Sequence, residues 1–197
     1  MKNRIQKWRY LGLSIVFLAV LVASCLEPFG SYQSAHAQVA KPAATALSGL
    51  SRGAAWRSSG KVIVVSLSQQ WLYAYQNGQL VFDTAVLTGR PSLPTPTGTY
   101  RIFAKRRSIT FRSPWRRSSP YYYSPTHINY AMEWRAGGYY LHDSWWHTVY
   151  GPGTNVRHYD PTYGWQTGSH GCISMPLSAA AWLYRWAPLG TIVRVVR

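Results

Sequence analysis

Alternating hydrophobic and polar positions begin near Lys61 and predict a mainly β domain. Residues 62–67 form a short run rich in β-branched side chains, which is typical of a buried strand. Residues 71–76 and 79–87 alternate on either side of Asn77-Gly78. This dipeptide favours a type I′ hairpin turn, because both central residues of that turn take positive φ. We expect further strands at 99–105, 139–142 and 191–196.

One stretch has the periodicity of a helix. Residues 176–186 consist mostly of good helix formers, with Pro176 in the first turn and Ser174 as the expected N-cap. Pro188 and Gly190 would end the helix. The segments at 88–98 and 106–137 are rich in Pro, Gly, Ser and Tyr and are predicted to be irregular.

The first 37 residues have the pattern of an export signal. Four basic residues precede an apolar run at 11–26, which is shorter than the roughly 20 residues of a spanning helix. Three outcomes are open: cleavage after Ala37, lipidation at Cys25, or an uncleaved anchor. Each of them places the rest of the chain outside the cytoplasmic membrane. Residues 38–60 are small and polar and are expected to be a flexible tether to a domain at 61–197.

The net charge of +16 arises from 21 basic and 5 acidic residues. An exported protein does not meet nucleic acid, so the anions available to it are wall polymers and lipid headgroups. The densest basic stretch, 101–117, is either a binding face for such anions or a solvated surface. Two cysteines are too few for a disulfide-stapled mini-domain or a Cys-rich zinc module.

Cys172 is the candidate nucleophile. It lies in the segment 168–175, just before the predicted helix, whose N-terminus would favour a thiolate. Gly171 would let the main chain approach a substrate, and neighbouring N–H groups could bind an oxyanion. A lone thiol can equally be an inert core residue. The residues alone therefore leave both interpretations open.

Several motifs in order resemble the L,D-transpeptidase catalytic domain (YkuD) family. The segments that carry this resemblance are Val64-Val65-Ser66-Leu67-Ser68-Gln69-Gln70-Trp71-Leu72-Tyr73, Thr88-Gly89, Pro94-Thr95-Pro96-Thr97-Gly98-Thr99-Tyr100, Tyr140-Leu141-His142-Asp143 and Ser169-His170-Gly171-Cys172. They span the whole predicted domain. The resemblance implies a single β-sandwich domain with one helix after the cysteine motif.

The resemblance also implies roles for individual residues. Cys172 would be the nucleophile and His142 the general base, while His170 and Gly171 would shape the oxyanion site together with the Cys172 N–H. The supporting positions would be Ser169 and Asp143, with Asp143 as the residue that orients His142. Tyr140 and Ser174 would contact substrate.

Two departures from the family pattern concern the base. Ser174 stands where the family usually has Asn or Arg, and His142 lies 30 residues before Cys172, which is a longer separation than usual. The excess is predicted to be an insertion within 145–167. His147 and His158 lie in this insertion and are expected to be exposed loop histidines. We therefore assign the base to His142.

The reaction implied is acyl transfer on peptidoglycan stem peptides. A thioester at Cys172 would be resolved by an amine to give a 3→3 cross-link, or by water in an L,D-carboxypeptidase. A catalytically inactive wall-binding module and a cysteine endopeptidase are the alternatives. No cofactor or metal is expected, and the oligomeric state is not predicted. The aromatic residues of the insertion would form either a lid or a self-packed surface loop.

Overall fold

Residues 60–197 are the part of the chain that this computed structural model describes, and strands dominate it. The elements are β1 Lys61–Ser66, β2 Trp71–Gln76, β3 Gln79–Ala85, β4 Gly98–Arg101, β5 Ala104–Phe111, β6 Thr126–Arg135, β7 Tyr139–Asp143, β8 His158–Asp160, β9 Gly164–Gln166, β10 Ile173–Met175, α1 Leu177–Trp186 and β11 Ile192–Val196. The predicted fold class, mainly β with one helix after the cysteine motif, is confirmed.

The hairpin of β2 and β3 forms as the local sequence dictates. Asn77 and Gly78 have φ values of 51° and 79°, both in the left-handed region that the turn requires. The alternation of β2 puts Leu72 and Ala74 on one face and Trp71 and Tyr73 on the other, and all four are buried. Both faces of this sheet are therefore covered.

Two sheets and a small hairpin make up the architecture. The first sheet has the order β3-β2-β1-β11-β4, and the second has the order β10-β7-β6-β5. β1 pairs with β11 in parallel, and β10 pairs with β7 in parallel. β8 and β9 form a separate two-stranded hairpin.

The main core fills the space among the two sheets and α1. It consists of buried apolar side chains that come from both sheets and from the helix. Among these are Ile63, Val65, Leu72, Ala74, Met132, Trp134, Leu141, Ile173, Met175, Ala180 and Leu183. Ile173 and Met175, which directly follow Cys172, are thus anchored in a close-packed interior, which fixes one end of the loop that carries the thiol.

The predicted strand at 99–105 is two strands in different sheets. Ile102 donates its N–H to Thr191 O in the first sheet, and Phe103 donates its N–H to Glu133 O in the second, both at 2.9 Å. The chain crosses between the sheets at this dipeptide. Sequence periodicity did not reveal the crossing because the backbone stays extended through it.

The prediction of irregular structure at 106–137 is wrong over half of its length. β5 extends to Phe111 and β6 covers Thr126–Arg135, so the connection at 112–125 and the turn at 136–137 are the parts without strand. Arg106, Arg107 and Ser108 are exposed on β5, which removes the apolar alternation that identifies a strand.

The helix begins one residue later than predicted and has no side-chain cap. Its N-cap is Pro176, which makes no side-chain capping hydrogen bond, and the first helical residue is Leu177. Ser174 lies inside β10 rather than at the N-cap. That prediction is wrong because β10 pairs with β7 and continues to Met175.

The predicted export signal at 1–37 and nearly all of the predicted tether at 38–60 lie outside the described residues. Within residues 60–197, no helix has the length and apolar character needed to cross a membrane.

Candidate active site

His142 is held on β7 by hydrogen bonds at both ring nitrogens. Its Nδ1 lies 2.8 Å from the main-chain oxygen of Asp143, and its Nε2 lies 3.3 Å from Ser174 Oγ. A main-chain oxygen can only accept, so Nδ1 carries the proton and Nε2 presents the lone pair. The ring is buried, and burial lowers the His142 pKa against the opposing hydrogen bond and charge of Asp143. The imidazole is therefore a neutral base at neutral pH.

Asp143 contacts His142 through its main-chain oxygen, whereas the Asp143 carboxylate binds groups of β6. One carboxylate oxygen accepts from the main-chain N–H of Asn129 at 3.2 Å and from its side-chain amide at 2.9 Å. The other accepts from the Tyr130 N–H at 2.7 Å. The carboxylate thus fastens β6 to the end of β7, next to the histidine.

Ser174 stands opposite His142 because β10 and β7 pair in that register. Its side chain is 2% exposed, and its Oγ points at the basic nitrogen of the ring. Ser174 lines the cavity beside the thiol, but its direct partner is His142. Its hydroxyl can donate to Nε2 and so compete with the thiol for the lone pair.

The Cys172 loop is organised by the hydroxyl of Ser169. Ser169 Oγ donates to the Cys172 carbonyl at 2.6 Å and accepts from the Gly171 N–H at 3.0 Å. The Gly171 N–H is therefore engaged inside the loop. The Cys172 N–H has no acceptor within residues 60–197 and is free to act as an oxyanion donor.

Gly171 is required by its conformation and by crowding. Its φ is +110°, and a Cβ at this position would lie 2.7 Å from a ring carbon of Tyr139. Its carbonyl accepts from Thr95 Oγ1 at 2.9 Å, and the same hydroxyl accepts from the Gly89 N–H at 2.8 Å. The Thr-Pro-Thr-Gly loop recognised in the sequence thus buttresses the nucleophile loop.

The Cys172 thiol is partly exposed and protonated at rest. Sγ donates to the Gly138 carbonyl at 3.3 Å. Burial of the sulfur raises the Cys172 pKa to about 11, the Glu133 charge adds to the rise, and the main-chain N–H of Tyr140 opposes it. The expected stabilisation of a thiolate by the helix N-terminus is wrong, because β10 separates Cys172 from α1.

Two cavities meet at Cys172. The first, which we call the His142 cavity, has a volume of about 310 Å³. It is lined by Arg90, Phe111, Tyr123, Thr126, His142, Trp145, Trp146, His147, Gln166, Thr167, Gly168, Ser169, His170, Cys172 and Ser174. The second, the Gly138 cavity, has a volume of about 490 Å³ and lies toward Arg106, Arg112 and Tyr140. Cys172 therefore borders both cavities.

His170 packs among aromatic rings from the 112–125 connection. Its ring centroid lies 5.1 Å from that of Trp115 and 5.4 Å from that of Tyr123. Burial and the nearby Arg90 charge lower its pKa to about 4, against a hydrogen bond that the ring donates to the main-chain oxygen of Tyr121. His170 is neutral at neutral pH and joins the 112–125 connection to the nucleophile loop.

Tyr140 lines the Gly138 cavity, which His142 does not line. Its hydroxyl donates to Glu133 Oε2 at 3.1 Å, and its ring lines the Gly138 cavity. Burial raises the Tyr140 pKa, and the Glu133 hydrogen bond and charge raise it further. The phenol therefore stays neutral and is oriented by Glu133.

His147 and His158 do not have the exposed loop positions expected for them. His147 is 8% exposed and lines the His142 cavity, and burial lowers its pKa to about 4 with help from the His158 charge. His158 begins β8 and does not line that cavity. The sequence hid this burial because the contacts come from the folded insertion.

The insertion is organised around the buried carboxylate of Asp160. It accepts from the Thr148 N–H at 2.6 Å, from the Thr148 hydroxyl at 2.7 Å and from the Thr162 N–H at 2.9 Å. Burial alone would raise the Asp160 pKa, but these bonds lower it well below its usual range. The insertion is therefore a folded unit that presents Trp145, Trp146 and His147 to the cavity.

The basic stretch 101–117 separates into structural and cavity-lining residues. Lys105 Nζ donates to the Tyr184 and Ala187 carbonyls near the end of α1, at 2.5 and 2.8 Å. Arg106 and Arg112 line the Gly138 cavity. The stretch is thus not one uniform solvated face.

Sequence reasoning missed the residues that wall the cavity from the β5–β6 side. Phe111 lies with its ring centroid 5.2 Å from that of His142, and Tyr123 and Arg90 line the same cavity. The triple tyrosine at 121–123 is the available sequence signal, but a connection without regular structure has no periodicity that shows which side chains face a cavity. The described residues contain no group of three or more His, Cys, Asp or Glu side chains that could hold a metal ion.

This chain is similar to proteins of one known family. The model of the L,D-transpeptidase catalytic domain matches residues 60–195. The chain belongs to this family. The curated L,D-transpeptidase 1 of Mycobacterium tuberculosis is 27% identical over 138 residues, which are 68% of this chain and 49% of that protein. The chain thus spans about half the length of the curated relatives it matches.

Solved L,D-transpeptidase structures share the fold. An Enterococcus faecium L,D-transpeptidase mutant superposes with a TM-score of 0.57 at 28% identity, covering 70% of this chain and 50% of the other. The imipenem complex of an L,D-transpeptidase gives a TM-score of 0.58 at 25% identity, covering 70% and 59%. The family resemblance seen in the motifs is confirmed.

Proposed function

We propose that this chain is an exported L,D-transpeptidase that acts on peptidoglycan stem peptides with Cys172 as nucleophile. The observation that carries the proposal is the position of one partly exposed thiol between two cavities, one of which also contains the buried, oriented imidazole of His142. Membership in the family supplies the substrate class.

The first half-reaction begins with a neutral thiol and a neutral imidazole. His142 Nε2 takes the proton of Sγ as the sulfur attacks the carbonyl carbon of the L-centred residue at stem position three. A thiol with a pKa of about 11 is almost fully protonated at neutral pH, so the base must remove this proton during attack. Imidazolium forms and is stabilised by the Asp143 main-chain oxygen at Nδ1.

Collapse of the tetrahedral intermediate breaks the peptide bond to the D-residue. The carbonyl oxygen carries the negative charge in the intermediate, and the free Cys172 N–H is the donor available to it. The imidazolium returns its proton to the departing amine, which leaves as the free D-amino acid. A thioester between Cys172 and the stem remains.

The second half-reaction needs an acceptor on the other side of the thioester. An amine from a neighbouring stem attacks the thioester carbonyl, His142 takes its proton, and the thiol is released as the 3→3 link forms. Two cavities at one sulfur suit a donor and an acceptor that approach from different sides. Attack by water on the same thioester would instead give an L,D-carboxypeptidase.

The deciding experiment measures the thioester and its fate. Purified protein is incubated with a tetrapeptide stem, with and without an acceptor amine, and intact mass and products are followed. We expect a mass increase on Cys172 that disappears in Cys172→Ala, and cross-linked product that depends on the acceptor. A solved relative binds imipenem, so adduct formation with a carbapenem provides a second assay of the same thiol.

Three results would contradict this assignment in different ways. Product formation by Cys172→Ala would remove the cysteine from the mechanism. Hydrolysis alone, unaffected by an acceptor amine, would make the chain an L,D-carboxypeptidase. Binding to isolated wall with no adduct from either reagent would make it an inactive wall-binding module.

Export of the mature domain is part of the same proposal. Residues 1–37 carry the signal pattern, and the family acts on the cell wall. The intact mass of the protein from the cell envelope distinguishes cleavage after Ala37 from lipidation at Cys25 and from an uncleaved anchor. A full-length unmodified chain in the cytoplasm would contradict export.

A further inference from the structure

Arg90 presents a cation to the His142 cavity without a carboxylate partner. Its Nε donates to the main-chain oxygens of Gly168 at 3.0 Å and Ser169 at 3.2 Å. The side chain is half-buried, and this burial lowers the Arg90 pKa, opposed by the Tyr121 charge. The two amino groups of the guanidinium remain as donors for something else.

The carboxylate side chains of residues 60–197 are engaged elsewhere. Glu133 accepts from Tyr140, and Asp83 accepts from Trp71 Nε1 at 3.0 Å. Asp143 and Asp160 hold main-chain N–H groups of β6 and of the insertion. No ion pair to Arg90 occurs within this part of the chain.

Partial burial of an unpaired guanidinium costs free energy, and a bound anion would offset that cost. Removing a charge from water is unfavourable without a partner, and the planar fork of arginine matches the two oxygens of a carboxylate. The other cavity walls include the aromatic rings of Phe111, Tyr123, Trp145 and Trp146. A carboxylate in this setting would form charge-assisted hydrogen bonds stronger than neutral ones.

The guanidinium is also fixed relative to the sulfur. Arg90 donates its main-chain N–H to Ser169 O at 3.0 Å, and its Nε binds the same residue, three positions before Cys172. Ser169 in turn bonds the Cys172 carbonyl. A group bound by Arg90 is therefore held at a set distance from the attacking atom, as substrate positioning requires.

We propose that Arg90 binds a carboxylate of the acyl-donor peptide in the His142 cavity and determines which donors are accepted. This inference rests on the proposed function and adds a specificity-determining residue to it. Two carboxylates of a stem could be the ligand: the C-terminal carboxylate of the leaving D-residue, and the side-chain carboxylate of a diamino acid at position three. Both offer the same chemistry to the guanidinium.

The test compares three synthetic tetrapeptide stems on the full-length protein. One has both carboxylates free, one is amidated at the C-terminus, and one is amidated on the side chain of residue three. We expect wild-type kcat/KM for release of the leaving residue to fall about 10- to 100-fold for one of the two amides. The amide that suffers this loss identifies the carboxylate that Arg90 binds.

Arg90→Gln should slow the two peptides that keep the bound carboxylate and spare the amide that lacks it, so that the ratio of kcat/KM between them approaches one. Arg90→Lys, which keeps the charge without the fork, should retain part of the preference. Arg185→Gln is the matched control, because Arg185 is exposed on α1 and its loss removes the same charge. This control should keep the wild-type ratio.

The outcomes separate a failed inference from a failed function. Absence of turnover on every peptide by the wild type would overturn the proposed function. Turnover by the wild type without preference for either acid would overturn the role of Arg90, whether or not the variants fold. An unchanged ratio in Arg90→Gln, or equal slowing of all three peptides with a normal rate of Cys172 alkylation by iodoacetamide, would also overturn it.

Discussion

The strand that carries His142 and the insertion that carries His147 and His158 expose the same type of side chain to very different surroundings. His142 has a hydrogen-bond partner at each ring nitrogen, supplied by Asp143 and Ser174. His147 Nδ1 and His158 Nε2 are buried without a partner within the described residues. A base needs a fixed tautomer and a place in the cavity beside the thiol. His142 has both. His147 Nδ1 lacks a partner within the described residues, and His158, whose Nδ1 lies 2.9 Å from the Val156 main-chain oxygen, does not line that cavity.

The two regions also differ in what stabilises them. Close-packed apolar residues from two sheets and a helix surround β7 and β10. The insertion depends on one buried carboxylate, that of Asp160, and keeps Trp145, Tyr159 and Trp165 more than half exposed. We infer that the strands fix the chemistry, while the insertion shapes access to the cavity.

Replacing His142 should have the largest effect. His142→Gln keeps a polar side chain but removes the base, so we expect kcat for thioester formation to fall about 10²- to 10⁴-fold. His158→Gln should stay within about threefold of the wild type. Single-turnover mass spectrometry of the Cys172 adduct measures both. A larger loss of kcat in His158→Gln than in His142→Gln would show that the general base lies in the insertion.

Asp160→Asn should loosen the insertion and spare the sheets. Loss of the charge weakens several hydrogen bonds at once, and each bond to a charged group is worth about 1.5–3 kcal/mol. We expect faster amide hydrogen exchange within 145–167 and a KM about tenfold higher, with exchange in β1 and β7 unchanged. Exchange measured by mass spectrometry reports each region separately. Uniform destabilisation would show that the insertion and sheets unfold as one unit.

Mild acid should destabilise the fold partly through His147. Its folded pKa of about 4 lies below the roughly 6.5 of an unfolded chain, so between these values only the unfolded chain takes up the proton. Stability therefore falls as the pH drops from about 6.5 toward 4.

His147→Gln should reduce this loss by up to about 2 kcal/mol at pH 5. Urea unfolding at pH 7 and pH 5 measures the difference between the two proteins. His127→Gln serves as the comparison, since His127 is exposed on β6. Equal acid sensitivity of His147→Gln and the wild type would mean that His147 is not buried in solution.

Ser174→Ala should have the smallest effect. It removes the hydroxyl that shares the His142 lone pair, a hydrogen bond worth about 1 kcal/mol, so kcat should change about three- to tenfold. The shape of the pH–rate profile distinguishes a change in His142 basicity from a change in packing. Ser174→Thr, which keeps the hydroxyl, should restore the profile. A pH–rate profile that is unchanged in both variants would show that this contact does not affect the basicity of His142.

The sequence by itself determined the features whose causes are local. Asn77-Gly78 fixes a hairpin because its two residues accept positive φ without help from the rest of the chain. The strand character of β2 and β11 follows from alternation over a few residues, and that of β1 follows from a short run of β-branched side chains. Gly171 beside Cys172 indicated a special backbone conformation, and its positive φ agrees.

Tertiary structure decided everything that depends on distant neighbours. The raised thiol pKa reflects burial of the sulfur and the Glu133 charge, neither of which is adjacent to Cys172 in sequence. Arg90 meets the Gly168 carbonyl across 78 residues. The 106–111 strand lacks its own apolar alternation and exists because β6 pairs with it. The folded arrangement determines the burial, the hydrogen-bond partners and the electrostatic field of each group. The amino-acid sequence therefore specifies which groups are available but not what surrounds them.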